Sequence, residues 1–116
     1  MSAPRLCILA GIRTPLGKMD GALRKLGADD LGALALRELT LRTGLDTSRL
    51  DAVVCGNVGQ GPSAPNVARV IALRAGVSDD VEAMTVHRNC ASGFEAVTQC
   101  AQRLRAGRGR MFVAVA

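Results

Sequence analysis

The stretch HRNCASGFEAV, residues 87–97, sets one thiol, Cys90, between an apolar run that reads as a strand and a run with helical spacing. A thiolate is the nucleophile that cysteine offers, and a helix N-terminus favours it through the macrodipole and the unpaired amides of the first turn. The same amides can stabilise the oxyanion that forms when a thiolate attacks a carbonyl. Ala91, Ser92 and Gly93 carry little bulk, which leaves room for a ligand and for close approach of backbone. These are the requirements for covalent acyl transfer through a thioester. The competing reading is a small core residue that only packs. Cys90, Phe94, Val97, Ala101 and Leu104 follow one another at spacings of 4, 3, 4 and 3, which predicts that Cys90 begins the buried stripe of the helix and points inward. Asn89 is one candidate N-cap; Ser92, with Glu95 three residues on to complete a capping box, is the other.

The remaining reactive side chains are few. His87, the only histidine, precedes Cys90 by three residues. It is a candidate base, although a hydrogen bond that orders the loop suits it better. Cys7 and Cys55 fall in apolar runs and Cys100 at the edge of the helical stripe, so all three read as core residues. No CxxC or paired Cys/His spacing is present, so no metal site is expected. Cys90 and Cys100 on one helix would stand about 15 Å apart along its axis, beyond disulfide reach. VVCGNVGQGPS places Gly56, Gly59 and Gly61 after a strand and before a helix, the setting of a dinucleotide-binding turn. Their order is the reverse of the G-x-G-x-x-G fingerprint, and Pro62 and Pro65 intrude where a helix should receive a pyrophosphate. A flexible connecting loop is the better reading.

These residues need elements to hold them. RLCILAG predicts a strand over about Arg5–Ala10, followed by a long glycine- and proline-marked loop. A helix capped by Asp29 or Asp30 ends at Gly44. A strand centred on Ala52–Cys55, a helix from Pro65 or Asn66 to Gly76, a strand in VEAMTVHR, a helix from Cys90 and a last strand in RMFVAVA complete the series. The order β-α-β-α-β-α-β implies an α/β fold with a mostly parallel sheet, right-handed crossovers and helices on both faces. The last strand runs to Ala116 with no helix after it, as though the fold were truncated.

Composition narrows the classes. The 116 residues fit one domain, with 48% hydrophobic and 22% charged residues. Thirteen arginines and two lysines against ten acids give a net charge of +5, which suits an anionic ligand such as coenzyme A as well as nucleic acid. With no Trp or Tyr and only Phe94 and Phe112, base-stacking surfaces are nearly excluded. RLRAGRGR, residues 103–110, is the one dense basic stretch and reads as a solvated helix end. No run approaches a membrane span, and the apolar stretch Cys7–Ile12 is too short for a signal-peptide core, so a cytoplasmic location with reduced thiols is expected.

TVHRNCASGFEAV closely resembles the nucleophile segment of thiolases, in which a strand runs into Asn/His-Arg-x-Cys-x-Ser-Gly and then a helix. RTPLGKMDGAL, LGALALREL, VVCGNVGQG and PNVARVIALRAGV agree with the same family in order and spacing, so the resemblance spans about Leu6 to Ala116. It implies that residues 1–116 are part of a thiolase N-terminal domain, one of two related β-α-β-α-β-α-β-β halves. It also implies that Cys90 takes the acyl group as a thioester while its backbone N–H contributes to an oxyanion hole. The reaction would be thiolytic cleavage of a 3-oxoacyl-CoA or condensation of two acetyl-CoA, as in fatty acid metabolism. Coenzyme A and acyl-CoA enter as substrates and no resident cofactor is implied. The family's Asn–water oxyanion site, activating histidine and proton-exchanging cysteine belong to the second half, as do most coenzyme A contacts. The isolated chain is therefore expected to accept an acyl group without completing turnover. It is also expected to associate, with a second copy or with a C-terminal half, and not with nucleic acid or membrane. A β-ketoacyl synthase relative and a non-catalytic dimerisation or regulatory fragment are the alternatives.

Overall fold

The computed structural model describes Ser2 and residues 5–116. Three helices and three strands alternate from Ala28 onward: α1 (Ala28–Thr43), β1 (Ala52–Gly56), α2 (Val67–Arg74), β2 (Glu82–Val86), α3 (Ser92–Arg105) and β3 (Phe112–Val115), with a 3-10 turn at Thr47–Arg49. The strands form a parallel sheet in the order β2-β1-β3. The central strand is AVVCG, buried on both faces as parallel strands are, while β2 at the edge is only half buried.

Alternation along β1 divides the core in two. Val53 and Cys55 join Leu36 of α1 and Val67, Ala68, Ile71 and Ala72 of α2 on one face. Val54 joins Ala96 and Cys100 of α3 on the other, flanked by Met84, Val86 and Phe112. The helices thus cover both faces. On the outer layer, Gly32 of α1 lies so close to Ile71 of α2 that a Cβ there would overlap the isoleucine side chain. Gly44 closes α1 in the left-handed region at φ 65° and Gly107 follows α3 at φ 69°, the conformation a helix C-terminus favours and glycine adopts without strain. No helix among the described residues is long and apolar enough to cross a membrane.

The first expected strand does not form. Arg5–Ala10 has no regular structure and is exposed throughout, with Ile8 and Leu9 82% and 81% accessible, and Cys7 is exposed rather than in the core. An apolar run supplies β propensity, but a strand exists only when a neighbour takes its N–H and C=O groups. No ladder among the described residues includes this segment.

Candidate functional site

The parallel strands all point the same way, so the chain leaves β1 and β2 at one end of the sheet. Gly56, the last residue of β1, gives that end its shape. A Cβ at Gly56 would overlap the carbonyl of Ser92 and come within 2.7 Å of the Gly93 nitrogen. The first turn of α3 therefore rests directly on the end of β1, and only glycine permits it.

Between β2 and α3 the backbone makes a tight turn. The Ala91 amide donates to the Arg88 carbonyl at 3.0 Å and the Ser92 amide to the Asn89 carbonyl at 3.1 Å. Asn89 sits in the left-handed region at φ 47°, a conformation Asn tolerates better than most residues. The Ser92 hydroxyl crosses the turn, donating to the Asn89 carbonyl at 2.7 Å and accepting from the Arg88 amide at 2.8 Å. Outside it, the Arg88 guanidinium pairs with Glu95 at 2.7 Å, and Gln99 donates to the same carboxylate at 2.8 Å. Those two hydrogen bonds, Gln99 first, hold the Glu95 carboxyl below its ordinary range.

Cys90 occupies the outer limb of this turn and is exposed. It precedes Ala91, the helix N-cap, so it stands just before the helix rather than in its buried stripe. The expected stripe is corrected accordingly. Phe94 and Val97 are 75% and 42% accessible, and the buried face is Ser92, Ala96 and Cys100. Gly56 explains the rotation: it brings β1 so near the helix that only small side chains fit between them, and the bulky residues turn outward. Neither expected cap forms. Asn89 serves the turn through its φ angle, Ser92 bonds backward to the loop, and Ala91 caps without a side-chain bond. The amides of Gly93 and Phe94 donate to no acceptor among the described residues, which leaves unpaired donors at the helix start.

His87 accepts a hydrogen bond at Nδ1 from the Asn89 amide at 3.1 Å, the loop-ordering role. A shallow depression of about 400 Å³ beside the turn is lined by Val86, His87, Arg88 and Glu95. A larger one of about 930 Å³, lined by Gly11, Ile12, Arg13, Pro15, Leu16 and Arg42, contains no nucleophilic side chain. Cys55 and Cys100 are buried as expected. Burial pushes the Cys55 thiol up to about 11 and also raises that of Cys100. Both are held as neutral core thiols.

Two contributors escaped sequence reading. Sequence pattern sets Gly56 with the loop glycines, although a glycine ending a buried strand signals a close backbone approach. Ser92 reads from sequence as one of two candidate caps, although a buried hydroxyl can as readily bond back into the preceding turn.

The sequence profile described as thiolase, N-terminal domain, matches residues 6–116. Curated relatives include the 3-ketoacyl-CoA thiolases of Aeromonas salmonicida (strain A449), 43% identical over 103 residues, and of Vibrio cholerae serotype O1 (strain ATCC 39315 / El Tor Inaba N16961), 39% identical over 106 residues. These matches cover 89% and 91% of this chain and 24% of each relative. Among solved structures, the acetyl-CoA acetyltransferase of Bacillus anthracis superposes with a TM-score of 0.89 at 33% identity, covering 93% of this chain and 27% of that one. A thiolase from Ascaris suum in complex with coenzyme A gives a TM-score of 0.81 at 28% identity, covering 85% and 26%. The chain thus spans about a quarter of the length of the relatives it matches.

Proposed function

The chain belongs to the thiolase family, and from that premise we propose that it carries the acyl-accepting nucleophile of a thiolase-type acyl-CoA acyltransferase, with Cys90 as the acylated residue. The observation that carries this reading is the turn itself. It holds one exposed thiol immediately before a helix N-terminus whose Gly93 and Phe94 amides find no acceptor among the described residues.

In the cleavage direction the Cys90 thiolate attacks the 3-oxo carbonyl of a 3-oxoacyl-CoA. The bond between the second and third acyl carbons breaks, its electron pair leaves with the two-carbon fragment, and that fragment takes a proton to become acetyl-CoA. The remaining acyl group stays on Sγ as a thioester until the thiolate of coenzyme A displaces it and frees Cys90. Oxyanion donors lower both barriers. The exposure of Cys90 suits a thiol that must meet a bulky thioester, and the small side chains of Ala91, Ser92 and Gly93 keep the approach open. Coenzyme A is a substrate here, not a resident group. The cytoplasmic location follows the same expectation. The exposed Phe94 and Val97 support the further expectation that α3 meets another protein surface.

The test is to incubate the purified chain with acetoacetyl-CoA and map its cysteines by mass spectrometry. One acetyl group on the Cys90 peptide, labile to hydroxylamine and absent in Cys90→Ala, is the expected outcome. A folded chain that stays unacylated at Cys90 contradicts the proposal.

A further inference from the structure

Ser92 is the one buried polar side chain among the described residues, 5% accessible. Burying a hydroxyl is unfavourable unless it is bonded on site. This hydroxyl is fully employed, and both partners lie in the turn that carries Cys90: the Arg88 amide at 2.8 Å and the Asn89 carbonyl at 2.7 Å. Between those partners the backbone passes through the left-handed conformation at Asn89, φ 47°, which most side chains resist and Asn tolerates. Beneath the hydroxyl, the Ser92 carbonyl is seated against Gly56 at the end of the central strand. The clamp is therefore anchored to the most buried strand of the fold, while the limb it controls is exposed.

We infer that Ser92 is a positioning residue for Cys90: its hydroxyl pins the Arg88–Asn89 turn to the end of β1 and so holds the thiol at the start of α3. This deepens the acyltransferase reading, since it names what aims the nucleophile. A serine that only filled space would be replaced by alanine without consequence for a side chain two residues away. Here, alanine leaves the Arg88 amide without its acceptor and the Asn89 carbonyl with only the Ser92 amide, which loosens the turn and lets Cys90 drift from the start of α3.

The four cysteines supply the test. Cys7 is exposed in an irregular segment and serves as an ordinary reference thiol. Cys55 and Cys100 are buried and report that the core is intact. The full chain is treated with limiting iodoacetamide, and the labelling rate of Cys90 is divided by that of Cys7. In Ser92→Ala the ratio falls about tenfold, the scale of one lost hydrogen bond in a reactive geometry, while Cys55 and Cys100 stay protected. Ser92→Thr, which keeps the hydroxyl, restores it to within about threefold of the parent. An unchanged ratio in a protected Ser92→Ala chain overturns the inference, as does a threonine variant no faster than alanine. Amide exchange in the unsubstituted chain needs no variant: the Arg88 amide is protected if the clamp holds, and exchange at the free-peptide rate overturns it. Acylation by acetoacetyl-CoA is scored separately. A lowered alkylation ratio in a chain that acetoacetyl-CoA never acylates keeps the clamp and removes the acyltransferase.

Discussion

Two connections leave the same end of the sheet for a helix, and they are built in opposite ways. From β1 to α2 the chain takes residues 57–66, rich in Gly and Pro and mostly exposed, tied by such bonds as Asn57 Nδ2 to the Gly59 carbonyl at 2.8 Å. From β2 to α3 it takes residues 87–91, every one of them in a crossed set of bonds or next to one. The first looks more like a cofactor motif in sequence; the second holds the thiol proposed as the nucleophile. Geometry fit for chemistry comes from backbone that its surroundings over-determine, and glycine content alone does not supply it. Gly56 belongs by sequence to the first connection and by contact to the second.

The three glycines of the motif break this comparison most sharply. In Gly56→Ala a Cβ must displace the Ser92 carbonyl, backbone that cannot yield cheaply, so stability should fall by about 3 kcal/mol in denaturant unfolding. Loss of less than about 1 kcal/mol would show that α3 does not rest on β1 as described.

Asn89 probes the turn next. Asn89→Val places a β-branched residue at φ 47° and should cost about 1–2 kcal/mol by the same measurement, whereas Asn89→Gly should keep the parent's stability. Equal stabilities for the two variants would mean that the left-handed turn is not enforced.

Alkaline pH separates the buried thiols from the exposed ones. The folded state holds the Cys55 proton up to about 11, above the ordinary thiol value, so the folded chain binds more protons than the unfolded one in between. Stability is intact below about pH 8.5 and falls as pH rises toward 11, by on the order of 1 kcal/mol. With no tyrosine and only Lys18 and Lys25 among lysines, few other groups titrate in that window. The loss should shrink in Cys55→Ala, and a slope that Cys55→Ala leaves unchanged would place its origin elsewhere.

The smallest expected effect is at the other two glycines. A Cβ at Gly59 meets nothing within 4 Å and one at Gly61 only the Ser63 hydroxyl at 4.0 Å. Gly59→Ala and Gly61→Ala should each lie within about 0.5 kcal/mol of the parent and leave Cys90 labelling unchanged. A large effect at either would give the long connection a role that its exposure denies.

Much of this was legible in the sequence. The three helices and the strands at Ala52, Glu82 and Phe112 follow from apolar period, and Gly44 and Gly107 mark helix ends by a conformation that other residues resist. Strand signal, small residues and helical spacing converge on Cys90 as the proposed nucleophile. The failures share a cause. Whether Leu6–Leu9 forms a strand depends on a neighbouring edge, and which face of α3 is buried depends on how close β1 stands. Each is a relation between segments distant in sequence, and local periodicity carries no record of it. Phe94 and Val97 looked like core for that reason, and small Ala96 took their place.

The central claim is that the β2–α3 turn makes Cys90 more than an exposed thiol, and Cys7 is its natural control. Both are accessible, but only Cys90 stands before a helix with unpaired amides. The measurement is the rate of iodoacetamide alkylation at each cysteine of the folded, unsubstituted chain at neutral pH, read peptide by peptide. The account predicts that Cys90 reacts about tenfold faster than Cys7, with Cys55 and Cys100 protected. Cys90 reacting no faster than Cys7 would contradict it.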